Sequence, residues 1–270
     1  MSKFDYTYLS LGAGVQSSAM LVCSNLGRYD VPRADVAIFA DTGDEPQWVY
    51  DYLEILTKWS KIPIEIAQKG HLSQDLIDRH SGKKKRFACI PAFTAGKDTF
   101  NAILRRQCTR EYKIEPIEKK VRELLGYKPR QRIKEKVCAM IGISIDEAIR
   151  MKPSRTRWIT NAWPLVDAGL NKLSCLRICK EAGLPEPQKS ACVFCPYHNN
   201  AYWLDLQVNH PEEFAKAVAF DVQIRDMTMS GLENKAYLHR SLKPLDEVDF
   251  DDWKGQLDLF GEECEGVCGV

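Results

Sequence analysis

The chain has 270 residues, 44% of them hydrophobic, with a formal net charge of +1. That length suits one large domain, or one domain with an appendage, and the apolar content suffices for a core. No apolar run approaches the roughly 18 residues of a membrane helix and no signal-peptide pattern opens the sequence, so a soluble cytoplasmic protein with no membrane partner is expected. Ten cysteines in a reducing compartment argue against a disulfide framework and toward metal or redox chemistry.

In chain order, strands are predicted over Tyr6–Ser10, Val36–Ala40, Ile64–Ala67, Val137–Ile143 and Trp158–Asn161. Helices are predicted over Ser17–Leu26, Trp48–Ser60, Lys113–Leu125 and Asp146–Arg150. Ser144 and Glu147 have capping-box spacing for the last of these. Such alternation implies an α/β fold with a doubly wound, mostly parallel, Rossmann-like sheet, whose ligands bind at the carboxyl ends of the strands. Residues 70–110 lack clear periodicity and read as a rim insertion. The expected division is a nucleotide-binding domain over 1–165 and, over 166–270, a cysteine-bearing helical part with an acidic tail.

Four short elements carry the chemistry. After the first strand, Gly12-Ala13-Gly14-Val15-Gln16-Ser17-Ser18 is a small-residue turn opening a helix. Free amides and a positive dipole end there suit a phosphate. The second strand runs into Asp41-Thr42-Gly43-Asp44-Glu45, acidic residues placed for a nucleotide or Mg²⁺. The third element is Cys108-Thr109-Arg110-Glu111-Tyr112-Lys113-Ile114-Glu115-Pro116, and the fourth is Cys192-Val193-Phe194-Cys195-Pro196-Tyr197, which begins 84 residues after Cys108. A Cys-x-x-Cys pair brings two thiolates toward one metal. Cys23 and Cys138, on an apolar helix face and a strand, read as core cysteines. The five histidines show no ligand spacing.

The first element resembles the phosphate loop Ser-Gly-Gly-x-Asp-Ser of the ATP-pyrophosphatase (PP-loop) superfamily, with Gly12, Ala13 and Gln16 standing for its Ser, one Gly and its Asp. Asp41-Thr42-Gly43 is similar to the corresponding element of phosphoadenosine-phosphosulfate (PAPS) reductases. Cys108, Lys113 and Pro116 with Cys192 and Cys195 resemble iron–sulfur adenosine-phosphosulfate (APS) reductases, Thr109 replacing their second cysteine. The Cys-Thr-Arg and Cys-Pro-Tyr variants look more like PAPS-reductase-like sulfur-transfer proteins, including DNA phosphorothioation and tRNA thiolation proteins. Ser144 stands where reductases carry an arginine.

The resemblance implies an ATP-dependent, adenylylating sulfur transferase. It places ATP and Mg²⁺ on Ser10, Gly12, Ala13, Gly14, Val15, Gln16, Ser17, Ser18, Asp41, Thr42, Gly43 and Gly142, with Gln16 and Ser17 at the reacting phosphates. It implies a 4Fe-4S cluster on Cys108, Cys192, Cys195 and a fourth cysteine; Cys175 is favoured over Cys179, Cys89 and the tail. A zinc site on the same residues (Zn²⁺) and a three-ligand cluster with an open iron are the alternatives. The tail thiols Cys264 and Cys268 split the reductases' Glu-Cys-Gly tail between them and would carry or resolve the sulfur, supplied by a donor such as a cysteine desulfurase.

Between Lys83 and Lys136 there are 17 Lys/Arg and 6 Asp/Glu, a net of +11 against −10 for the remainder. This is either a solvated face with an acidic tail elsewhere or a docking surface for a nucleic acid, tRNA or DNA. A sulfonucleotide reductase and a non-enzymatic zinc or iron–sulfur nucleic-acid-binding module are the rival readings.

Overall fold

The computed structural model describes residues 4–80, 90–95, 101–225 and 234–251. Five strands, β1 (Tyr6–Leu11), β2 (Val36–Asp41), β3 (Ile64–Gln68), β6 (Val137–Ile141) and β7 (Ile159–Ala162), form a parallel sheet in the order β3-β2-β1-β6-β7. The register pairs Tyr8 with Val36 on one side and Leu9 with Met140 on the other. The inner strands β2 and β6 are near-continuous apolar runs because both faces are covered. Edge strand β3 alternates instead and leaves Ile66 exposed. These are the strands the sequence predicts, within two residues at each end, and the α/β expectation holds.

Helices α1 (Val15–Leu26), α2 (Gln47–Trp59), α5 (Pro164–Asp167) and α6 (Lys172–Glu181) cover one face around Leu21, Phe39, Leu56 and Ile178. Asn171 caps α6 by accepting from the Ser174 N–H at 2.8 Å. On the other face, α4 (Glu115–Leu124) packs Ile117 and Val121 against Tyr8, Ile38 and Ala139.

A second core lies beside the sheet. Strands β4 (Phe93–Ala95), β5 (Asn101–Ile103) and β8 (Ala236–Tyr237) form an antiparallel sheet ordered β5-β4-β8. With it pack α3 (Leu72–His80), α7 (Asn200–Asn209) and α8 (Pro211–Arg225), around Leu76, Tyr112, Phe194, Trp203 and Phe220. Residues of the rim segment and of the chain beyond 190 thus share one core, whereas α6 joins the first. The rim segment carries α3 and two short strands that its weak periodicity hides. No helix among the described residues is long and apolar enough to cross a membrane.

Two predicted helices differ. Residues 145–150 form a 3₁₀ helix whose N-cap, Ser144, makes no side-chain cap bond. The capping-box reading is therefore corrected: the Ser144 hydroxyl is buried, and Glu147 pairs with Arg150. The helix predicted from Lys113 begins earlier, as a π-helix over Thr109–Ile114 that runs into α4.

The strand order reverses at β1 and β6, so the loops after these two strands flank the crevice where ligands bind in such sheets. Gly142 follows β6 there. A Cβ on it would lie 2.9 Å from both the Cα and the N of Ser17. Gly142→Ala should push α1 off the strand and lower stability by about 1–3 kcal/mol, the usual range for overpacking; thermal and urea unfolding measure it, and an unchanged midpoint would show that the two backbones can separate freely.

Candidate functional site

The turn between β1 and α1 is fastened by its own serine. The Ser17 hydroxyl donates to the Gly14 carbonyl and accepts from the Gly12 N–H, each at 3.2 Å. Ala13 holds φ +56°, a left-handed backbone that costs a residue with a Cβ about 1 kcal/mol. Gly14 is the N-cap of α1 and no side chain caps that end. The helix therefore presents an uncapped, positive N-terminus at the switch point. Gln16, Ser17 and Ser18 are all buried. Gly142 contributes close strand–helix packing rather than a side-chain group.

The acidic element after β2 splits into different roles. Asp41 accepts from the Gly43 N–H (2.7 Å), the Tyr50 hydroxyl (2.9 Å) and the Gln68 amide (2.8 Å). An ionised carboxylate has roughly four acceptor sites, so about one is left after these three bonds. Asp44 accepts from the Ser73 N–H and hydroxyl and so fastens the start of α3; burial raises its pKa. Thr42 donates to Glu45 Oε1 at 3.3 Å and lies 3.2 Å from the Cys192 Sγ.

Glu45 closes the acidic element and is absent from the ligand set that the resemblance implies. Its side chain is 2% exposed, and Oε1 lies 3.3 Å from Lys113 Nζ, itself 13% exposed. The Cys192 Sγ is 3.9 Å from the same oxygen. Oε2 is buried with no hydrogen-bond partner among the described residues. Burial, then the Glu45 charge, pushes the Cys192 thiol well above the ordinary range, and Lys113 opposes this. The Lys-x-x-Pro motif was the available signal for Lys113. Glu45 had none beyond its place at a strand end.

Cys108 and Cys192 both border the second core. Cys195 follows in a tight knuckle: its N–H donates to the Cys192 carbonyl at 3.0 Å, and the His198 ring, 2.9 Å from that oxygen, stacks on Tyr202. Cys175 lies elsewhere. It is fully buried in the first core beside Cys179 and Cys23, where burial and those sulfurs raise its pKa to about 12. The structure thus does not bring Cys175 to Cys192. Among the described residues no group of three or more His, Cys, Asp or Glu is arranged to hold a metal ion. As placed, these cysteines do not make the four-ligand centre. Cys23 and Cys138 are core residues, as expected. Cys89, Cys264, Cys268 and Lys83–Arg86 lie outside the described residues.

A cavity of about 820 Å³ lies along one face of the sheet, from Ser10 and Ile141 at the carboxyl end to Tyr8 and Ile159 farther back. Residues of the π-helix and of the 152–156 loop line it as well. Arg105, Arg110, Lys152 and Arg155 line it beside Glu111, Glu115 and Glu118.

No protein-family model and no curated protein matches the chain. Among solved structures, phosphoadenylyl-sulfate (PAPS) reductase from Candida auris, in a phosphate complex, is similar at 15% identity and a TM-score of 0.43. The match covers 68% of this chain and 76% of that one.

Lys113→Met would leave Glu45 charged, buried and uncompensated. It should cost about 3–5 kcal/mol in urea unfolding, and adding Glu45→Gln should restore much of the loss. A single variant as stable as the parent would show that the pair is solvated. Cys175→Ser should lower stability by loss of packing yet leave metal and sulfide content, assayed anaerobically, equal to the parent's. A fall in metal content would place Cys175 among the ligands after all.

Proposed function

We propose that this chain is an adenine-nucleotide enzyme of the PP-loop, PAPS-reductase-like type: an ATP-dependent, adenylylating sulfur transferase acting on a nucleic acid. The observation that carries this reading is the uncapped N-terminus of α1 at the switch point, behind a left-handed turn, next to a cavity that shares Ser10 with the turn's own small pocket. Phosphates bind such helix ends through backbone amides. That small pocket is lined by Ser10, Leu11, Gly12 and Lys113, which puts the phosphates at the turn itself with the larger cavity beside it.

In the proposed reaction an acceptor oxygen attacks the α-phosphate of ATP and pyrophosphate leaves. The outer sulfur of a persulfide on one tail cysteine then displaces AMP, and the other tail thiol attacks the resulting acceptor disulfide, which releases the thiolated acceptor and leaves a Cys264–Cys268 disulfide for an external thiol to reduce. The chain's part is to position the triphosphate at Gly12–Ser18 and neutralise its charge. Mg²⁺ enters with the triphosphate, and Asp41 keeps about one acceptor site toward it. Sulfur arrives from a donor such as a cysteine desulfurase and is carried by Cys264 or Cys268. An iron–sulfur or zinc centre rests on the Cys192–Cys195 spacing and Cys108 alone, and no step passes through it. The reductase reading is weaker because Ser144, at the arginine position, is fully buried and brings no positive charge to a sulfate.

Gly14 has an extended backbone, φ −95° and ψ −177°, that valine readily adopts. Gly14→Val should therefore fold yet weaken ATP binding, read by calorimetry, by about tenfold or more (~1.4 kcal/mol). Unchanged affinity would move the nucleotide elsewhere. With ATP, Mg²⁺ and nucleic acid, the parent should release AMP and pyrophosphate. A Cys264→Ser, Cys268→Ser double variant should bind ATP but form no thiolated product; normal turnover would make the tail a bystander.

A further inference from the structure

The basic segment that looks continuous in sequence is divided by the fold. Lys128, Arg130, Arg132, Lys134 and Lys136 are exposed and precede β6, at the amino end of the sheet. There the Lys136 N–H donates to the Asp5 carboxylate just before β1. The cavity reaches the opposite, carboxyl end, where Ser10 and Ile141 line it.

Within the cavity the charges do not cancel. Glu111 pairs with Lys69 at 2.9 Å, and Glu115 with Arg110 at 3.1 Å. Glu118 accepts from the Thr156 hydroxyl. The acids of the wall are thus engaged. Arg105, Lys152 and Arg155 line the same cavity with no carboxylate partner among the described residues. Thr109 lines it too, 7% exposed, and its buried hydroxyl has no partner among the described residues. Just before Lys152 in the chain, Ile149 is 94% exposed and Met151 36%.

We infer that this wall is a second anion subsite, separate from the turn before α1, and that it takes phosphodiester groups of a single-stranded nucleic acid. Three cations without carboxylate partners suit successive backbone phosphates, which dominate nucleic-acid affinity. Exposed Ile149 and Met151, next to Lys152 in the chain, offer bases an apolar surface that a free phosphate would not use. The inference deepens the nucleotide reading and rests on it only for the chemistry that follows binding.

The test is fluorescence anisotropy of the full chain with a labelled single-stranded oligodeoxynucleotide over a range of salt, alongside ATP calorimetry. Lys152→Ala with Arg155→Ala changes two exposed residues and should weaken strand binding about tenfold or more. It should also make the salt slope shallower by about 1.4, since each single-strand phosphate contact contributes about 0.7. ATP affinity should hold. Lys128→Ala with Arg130→Ala and Arg132→Ala, at the far end, should change strand binding much less. Equal strand binding by the Lys152/Arg155 variant and the parent would overturn the inference. So would an equal loss in the far-end variant, or a parallel loss of ATP affinity, which would assign these cations to the nucleotide. A parent that binds the strand as described but no ATP would leave the subsite standing and sink the enzymatic reading instead.

Discussion

A buried carboxylate joins three segments that are remote in sequence. Glu45 belongs to the loop after β2, Lys113 to the π-helix and Cys192 to the knuckle before α7, and all three converge on one oxygen. Taking an ion pair out of water is costly unless geometry and further hydrogen bonds compensate it. Here Thr42 adds one such bond. Backbone and side-chain bonds reinforce the same junction: the Val193 N–H donates to the Asp44 carbonyl, and the Trp48 indole donates to the Lys189 carbonyl. The first core holds the sheet and the second holds the knuckle; this junction fixes one against the other. The buried Glu45 Oε2 keeps spare accepting capacity there.

Parallel-sheet topology explains why the chemistry-bearing elements meet at all. In a sheet of parallel strands every strand delivers its carboxyl end to the same edge. The turn after β1, the acidic loop after β2 and Gly142 after β6 therefore arrive together although they are spread over 130 residues of chain. The same rule sends the lysines and arginines before β6 to the other edge. A charge total along the sequence adds the two ends; the field at a ligand does not.

Much of the sheet was legible in the sequence. Apolar runs such as Val137–Ile141 are long enough to name a doubly covered strand, and the glycine-bearing turn after the first strand marks its end. The second core was not legible, because Leu72, Tyr112, Phe194 and Ala236 come from four separate stretches, none periodic enough alone. Cys175 illustrates a different failure. Nearness to Cys192 in sequence suggested a shared metal, yet Cys175, Ile178 and Cys179 repeat at helical spacing and are all buried, which marks the face of α6 that packs on α1. Periodicity outranked spacing. Ser144 and Glu147 had capping-box spacing, but close packing at the switch point turned the serine inward and left the glutamate to Arg150.

The π-helix could not have been read from composition, and it shapes the site most directly. The Glu115 N–H bonds the Arg110 carbonyl, one residue farther back than in an α-helix. Such wide turns are rare and cluster at functional sites. Here a single turn must serve three surroundings. Tyr112 is fully buried in the second core, with its hydroxyl on Asp75; Lys113 reaches Glu45; Thr109 faces the cavity. Widening the turn spreads these side chains further around the axis than an α-helix would. The cavity wall and the buried ion pair are therefore built from the same six residues. A ligand that pulls on Thr109 from the cavity acts on the segment that also sets the distance from Lys113 to Glu45.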